Sequence, residues 1–168
     1  MITVKSNDVL NQNAKLDESI IKEINKGNEL IYIIGRPATG KTTLLIKSLQ
    51  ELLQYNENKI LFVSLELDKD SISEKIDINE HSNLIIMDNP NVSTEELREI
   101  LRNDNSIKNV VIDYLQLFDC KNNNKCIDLN KLKQEFNLNV IVSSQISRTL
   151  EINEEIINNS DNIILIEQ

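Results

Sequence analysis

Gly35-Arg36-Pro37-Ala38-Thr39-Gly40-Lys41-Thr42 lies between an apolar run and a stretch of helical periodicity. On its amino side, Glu29-Leu30-Ile31-Tyr32-Ile33-Ile34 is short, β-branched and bounded by Gly27 and Gly35, which predicts a buried strand. On its carboxyl side, residues 43–55 place Leu44, Leu45, Ser48, Leu49, Leu52 and Leu53 at helical spacing. The eight residues between match G-x-x-x-x-G-K-S/T, the phosphate-binding loop, in the strand–loop–helix setting that gives the pattern its meaning. Gly35 and Gly40 let the backbone curl so that its N–H groups face phosphate oxygens. The positive end of the following helix adds to the cradle. Lys41 supplies a mobile charge for the β- and γ-phosphates, and the Thr42 hydroxyl is placed to hold Mg²⁺. Arg36, Pro37, Ala38, Thr39 and Thr43 complete the nucleotide-binding stretch. A glycine turn before an ordinary helix would also fit, but only if all eight positions and both flanks agreed by accident.

At 168 residues, with 40% hydrophobic and 27% charged residues, the chain has the make-up of one globular domain able to bury a core. Residues 1–15 are polar and Asn-rich, with Val9-Leu10 as the apolar anchor, and read as an N-terminal arm. Residues 16–168 read as the domain proper. No apolar run reaches about 18 residues and no signal-peptide core opens the chain, so a cytoplasmic protein without a membrane span is expected. Cys120 and Cys126 have neither zinc nor redox spacing and read as free thiols, with a metal half-site or a reversible disulfide as the alternatives. His81, in a polar stretch, reads as a surface residue. The net charge of −9 argues against nucleic-acid binding unless the cations cluster.

Along the chain, residues 16–26 carry Leu16, Ile20, Ile21 and Ile24 on one helical face. After the phosphate loop and its helix, residues 59–65 form a second apolar strand. Ile72, Ile76 and Ile78 in the polar segment 68–82 suit a helical turn or two. Residues 83–88 form a third strand. Ser93-Thr94-Glu95-Glu96 is a capping box opening a helix through Arg102. Residues 108–113 form a fourth strand ending in an acid. Asp128 is placed to cap a helix through Phe136, residues 139–143 form a fifth strand, residues 151–157 a weak helix and residues 162–166 a sixth strand. Strands without internal alternation, separated by helices, predict an α/β fold. Its sheet would be mainly parallel, flanked by helices on both faces, with ligands at the strands' carboxyl ends.

The polar residues at those ends carry the chemistry. Asp113 closes an apolar run and suits a Walker-B acid that holds Mg²⁺ directly or through water, or, more plainly, a strand-terminal cap. Tyr114 follows it, so a catalytic acid must come from elsewhere. Glu66, in Ser64-Leu65-Glu66, is the best candidate to activate water. Gln145, just beyond the fifth strand, is placed to contact the γ-phosphate.

Four stretches in this order resemble the RecA-like ATPase domain of the DnaB-type replicative helicases. They are Gly35 through Thr43, Phe62-Val63-Ser64-Leu65-Glu66-Leu67, Val111-Ile112-Asp113-Tyr114-Leu115-Gln116-Leu117 and Ser144-Gln145-Ile146-Ser147-Arg148-Thr149-Leu150-Glu151. The resemblance runs over about residues 29–166 and implies a RecA-like P-loop NTPase fold with ATP and Mg²⁺ as cofactors. It also implies roles: Lys41 on phosphate, Thr42 and Asp113 on Mg²⁺, Glu66 activating water, and Gln145 coupling the γ-phosphate to a loop. The fifth strand would then lie between the phosphate-loop strand and the Walker-B strand.

Departures from the family pattern bear on function. The family's separate N-terminal domain has no counterpart, and the connections 68–82 and 119–125 are short. The stretch after Arg148, where the family carries a DNA-contacting loop, is brief and acidic. The family's trans-acting basic residues would fall beyond Gln168, so a protein partner is expected to supply an arginine finger, worth about 10³–10⁵ in rate. Arg36 and Arg148 are the in-chain candidates by position. Lys121 and Lys125 give only a weak footprint for single-stranded DNA.

Three functions fit these features. One is an ATP-binding and ATP-hydrolysing helicase motor, working as a homo-oligomer or with a helper. Another is an ATP-dependent switch or accessory protein without autonomous unwinding. A decayed remnant is the third, and the intact set of Lys41, Thr42, Glu66, Asp113 and Gln145 argues against it.

Overall fold

The computed structural model describes residues 2–5, 8–10, 27–77, 80–115, 124–146, 152 and 154–166. Within them the strands are β1 (Ile2–Lys5), β2 (Asp8–Leu10), β3 (Leu30–Gly35), β4 (Lys59–Ser64), β5 (Leu84–Met87), β6 (Ile107–Asp113), β7 (Asn139–Gln145) and β8 (Asn162–Ile166). The helices are α1 (Lys41–Tyr55), α2 (Lys69–Ser73), α3 (Thr94–Asn103), α4 (Lys125–Phe136) and α5 (Glu154–Asn159). The strands form one sheet in the order β2-β1-β8-β3-β7-β6-β4-β5. From β8 to β5 every neighbouring pair is parallel.

Successive side chains of a strand face opposite sides, and here both sides are covered. Ile31 and Ile33 of β3 join Leu45, Leu49 and Leu52 of α1 on one face. Leu30, Tyr32 and Ile34 join Leu97 and Leu101 of α3 and Leu129 and Leu132 of α4 on the other. Burial on two faces is why these strands read as unbroken apolar runs. Each Leu of α1 so buried contributes about 1.5–3 kcal/mol relative to an exposed one. Ser93 caps α3 as its sequence demands, its hydroxyl accepting from the Glu96 N–H at 3.2 Å. Arg98 ties α3 to α4 by donating to Glu95 at 2.6 Å and Glu135 at 2.9 Å.

Several elements differ from the sequence expectation. Helix α4 begins at Lys125, one turn before the Asp128 cap that its sequence suggests, because Asn124 Oδ1 accepts from the Ile127 N–H at 3.3 Å. Asp128 instead sits in the first turn, where a negative charge meets the helix's positive end. The earlier start also carries Cys126 into the core. Strand β7 runs two residues past the expected end, so Gln145 is its last residue. The polar lead-in contains the hairpin β1–β2, which adds antiparallel to β8 with Thr3 opposite Ile164. The expected helix at 16–26 lies outside the described residues.

At the amino ends of the parallel strands, Asp161 Oδ2 accepts from the Leu30 N–H and from Lys133 Nζ, both at 2.7 Å. Lys133 is buried, an unusual place for a lysine unless it is paired. The bridge anchors the start of β3, the strand that leads into the glycine loop 35–42 at its other end.

Candidate functional site

Strand β3 ends at Gly35, opposite Gln145 of β7 on one side and Ile166 of β8 on the other. A Cβ on Gly35 would lie 2.5 Å from Thr39 Oγ1 and 3.1 Å from the Ile166 carbonyl oxygen, so glycine is required here by close approach. Gly40 is required for a different reason: it caps α1 with φ at 89°, in the left-handed region. Ala38 also lies there, with φ at 60°, where a non-glycine residue is uncommon.

The loop closes on one acceptor. The Arg36 carbonyl receives the Thr39 N–H at 3.4 Å, the Thr39 hydroxyl at 2.8 Å and Lys41 Nζ at 2.6 Å. Lys41 and Thr42 occupy the first turn of α1. Partial burial holds the Lys41 amine below its ordinary pKa, partly offset by the negative charges of Glu66 and Asp113.

Asp113, the last residue of β6, is 1% exposed. Its Oδ1 accepts from Ser143 Oγ at 2.5 Å and from Thr42 Oγ1 at 3.4 Å. Its Oδ2 is buried without a hydrogen-bond partner among the described residues. Burial raises the carboxyl pKa against the opposing effects of the two hydroxyls and Lys41. A buried carboxylate oxygen without a donor is costly. A divalent cation would satisfy it, so the site fits Mg²⁺, which proteins hold through one or two carboxylates plus substrate phosphates. The Asp113 carbonyl accepts from the Leu65 N–H at 2.6 Å, tying the residue before Glu66 to the end of β6. The Asp113–Tyr114 peptide is cis.

These groups surround one cleft of about 410 Å³ lined by Pro37, Ala38, Gly40, Lys41, Thr42, Thr43, Glu66, Asp113, Tyr114 and Gln145. That volume falls within the range of small-molecule sites, about 300–1,000 Å³. The strand order explains the convergence, because β7 lies between β3 and β6 as expected. Gly35, Arg36 and Thr39 shape the loop from behind and do not line the cleft. Arg148, Lys121 and Cys120 lie outside the described residues. Lys125 Nζ donates to the Leu115 carbonyl at 3.2 Å. Cys126 is buried near Tyr32, whose hydroxyl is pushed above its ordinary pKa by burial first and by that thiol second. His81 is half-buried rather than a fully exposed surface residue.

Sequence reasoning missed Ser143. Its signal was the pair Ser143-Ser144 at the carboxyl end of the apolar run Val140-Ile141-Val142, where buried polar residues need partners.

Comparison with known proteins agrees with this architecture. The family model described as the DnaB-like helicase C terminal domain matches residues 68–159, a span that holds Asp113 and Gln145. A probable replicative DNA helicase of Trieres chinensis is 29% identical over a 167-residue alignment covering 74% of this chain and 37% of that protein. The replicative DNA helicase DnaB of Mycoplasma pneumoniae is 29% identical over 174 residues, covering 75% of this chain and 37% of the helicase. The chain thus spans little more than a third of the length of these curated relatives. Among solved structures, the ATPase domain of G40P superposes with a TM-score of 0.71 at 19% identity, covering 94% of this chain and 84% of that one. The fold is therefore α/β and RecA-like, and the chain belongs to the DnaB-like helicase C-terminal domain family.

Proposed function

We propose that this chain is an ATP-binding and ATP-hydrolysing motor domain of the DnaB-like kind. The observation that carries the reading is the convergence of Lys41, Thr42, Glu66, Asp113 and Gln145 on one cleft at the carboxyl ends of the parallel strands. The N–H groups of the loop cradle the phosphates, and Lys41 leaves the Arg36 carbonyl to meet the β- and γ-oxygens. Thr42 and Asp113 hold the cation, and Mg²⁺, when bound, neutralises charge on the phosphate oxygens during phosphoryl transfer. Glu66 orients and deprotonates the attacking water. Gln145 touches the γ-phosphate and couples its presence to a loop.

Residues 16–168 form the ATPase unit and residues 1–15 its lead-in, acting in the cytoplasm. Lys41 is the one basic side chain lining the cleft among the described residues. A second cation, from another copy or a protein partner, would therefore raise turnover by about 10³–10⁵. Single-stranded DNA is the proposed track, contacted weakly by so acidic a chain.

Steady-state ATP turnover with Mg²⁺, with and without single-stranded DNA at two salt concentrations, tests the reading. Turnover stimulated by DNA, and less so as salt rises, is the expected result. Lys41→Ala should abolish tight Mg²⁺–ATP binding; unchanged affinity in that variant would refute the proposal. Turnover indifferent to DNA would favour an ATP-dependent switch instead.

A further inference from the structure

We infer that Ser143 is the positioning residue of the cation site, holding Asp113 so that Oδ2 is the oxygen presented to Mg²⁺. This rests on the reading of the cleft as a Mg²⁺–nucleotide site and deepens it. Ser143 has no exposure to solvent, and its hydroxyl donates to Asp113 Oδ1 at 2.5 Å. Thr42 donates to the same oxygen at 3.4 Å, a long bond at the edge of useful geometry. With both hydroxyls on Oδ1, Oδ2 is left as the unsatisfied acceptor. The carboxylate is thereby fixed in rotation before any cation arrives.

The two donors differ in what binding does to them. Thr42 lies on the phosphate-loop helix and must turn its hydroxyl toward the cation to ligate it. Once it does, Ser143 is the remaining side-chain donor to Asp113 among the described residues. Ser143 can keep that post because it sits within β7, opposite Ile33 of β3 and one residue past the last β6 pairing, Ile112 with Val142. Two residues on, Gln145 projects from the same face of β7, as the two-residue period of a strand requires. The group that fixes the metal carboxylate and the group that meets the γ-phosphate thus ride on one rigid segment.

The experiment is a titration of Mg²⁺ into the full chain with a fluorescent ATP analogue, for the parent, Ser143→Ala and Ser48→Ala. Ser48 is a buried hydroxyl on α1 that bonds to the Leu44 carbonyl and controls for loss of any buried hydroxyl. Affinity for the analogue in excess EDTA and the thermal midpoint without metal are measured alongside. Ser143→Ala should raise the Mg²⁺ concentration at half-effect roughly ten- to a hundredfold, the range for one lost hydrogen bond to a charged group. Metal-free affinity should stay at the parent value, and Ser48→Ala should leave the Mg²⁺ midpoint in place.

An unchanged Mg²⁺ midpoint in Ser143→Ala would overturn the inference while leaving the nucleotide site standing. Equal loss of metal-free and metal-dependent binding, or an equal shift in Ser48→Ala, would show a merely structural hydroxyl and overturn it too. A parent that binds no analogue at any Mg²⁺ concentration would remove the nucleotide reading itself, and the inference with it.

Discussion

Removing either partner of the Lys133–Asp161 bridge should have unequal consequences. Lys133 has a side chain only 7% exposed, whereas that of Asp161 is 39% exposed. Asp161→Ala strips the acceptor from a buried ammonium and from the Leu30 N–H at once. Breaking a buried pair in this way costs about 3–5 kcal/mol, and the partial access of water argues for the lower end. At about 3 kcal/mol the thermal midpoint of a chain this size falls by roughly 6–12 °C. Lys133→Met leaves a carboxylate that water still reaches and that still accepts from Leu30, while methionine fills the stem's place. Its cost should be about 1 kcal/mol or less. In the double variant most of the Asp161→Ala loss should disappear, giving a coupling of about 2 kcal/mol. Urea denaturation followed by circular dichroism measures all four proteins. Equal losses in the two single variants would refute the reasoning, because the asymmetry comes from leaving a buried ammonium and the Leu30 N–H without an acceptor.

Three further outcomes are expected. Glu66→Gln should keep nucleotide affinity while turnover falls about 10²–10⁴-fold, and turnover at the parent rate would show that Glu66 does not handle water. Gly35→Ala should weaken nucleotide binding by forcing Thr39 off the Arg36 carbonyl, and adding Thr39→Ala should recover part of it; no recovery would place the conflict at the Ile166 carbonyl. Asp104 is held at a pKa of about 2, chiefly by Lys59 and then by Ser106. Its folded pKa lies below the unfolded value of about 3.9, so its contribution is full above that value and lost as pH falls toward 2. Asp104→Asn should therefore flatten the acid limb of the stability curve between about pH 4 and pH 2, and an unaltered slope would rule this out.

The glycine loop before α1 and the parallel strands were legible because each is a local pattern: glycines at fixed spacing, or an apolar run between turn residues. The placing of Gln145 beside Gly35 was legible only through the family resemblance, since strand order is a long-range property. What stayed hidden were side chains whose meaning depends on a distant partner. Ser143 reads as a stray hydroxyl until Asp113 is beside it, and Lys133 reads as a surface lysine until Asp161 is. The start of α4 was misplaced because Asn124 and Asp128 both suit a cap, and the burial of Cys126 selects between them. The β1–β2 hairpin was missed because its strands are only four and three residues long, and its pairing with β8 joins opposite ends of the chain.

The order of strands in the sheet also governs when, during synthesis, the cleft beside the 35–42 loop can exist. Strand β3 leaves the ribosome early, yet its neighbours are β7 and β8, more than a hundred residues later. Until then the 35–42 loop hangs from a strand with neither edge paired, although α1 can already cover one of its faces. Contacts of such sequence separation slow folding. A nascent chain halted before residue 139 would carry the whole G-x-x-x-x-G-K-T signature and still lack the strands that flank β3 in the folded sheet.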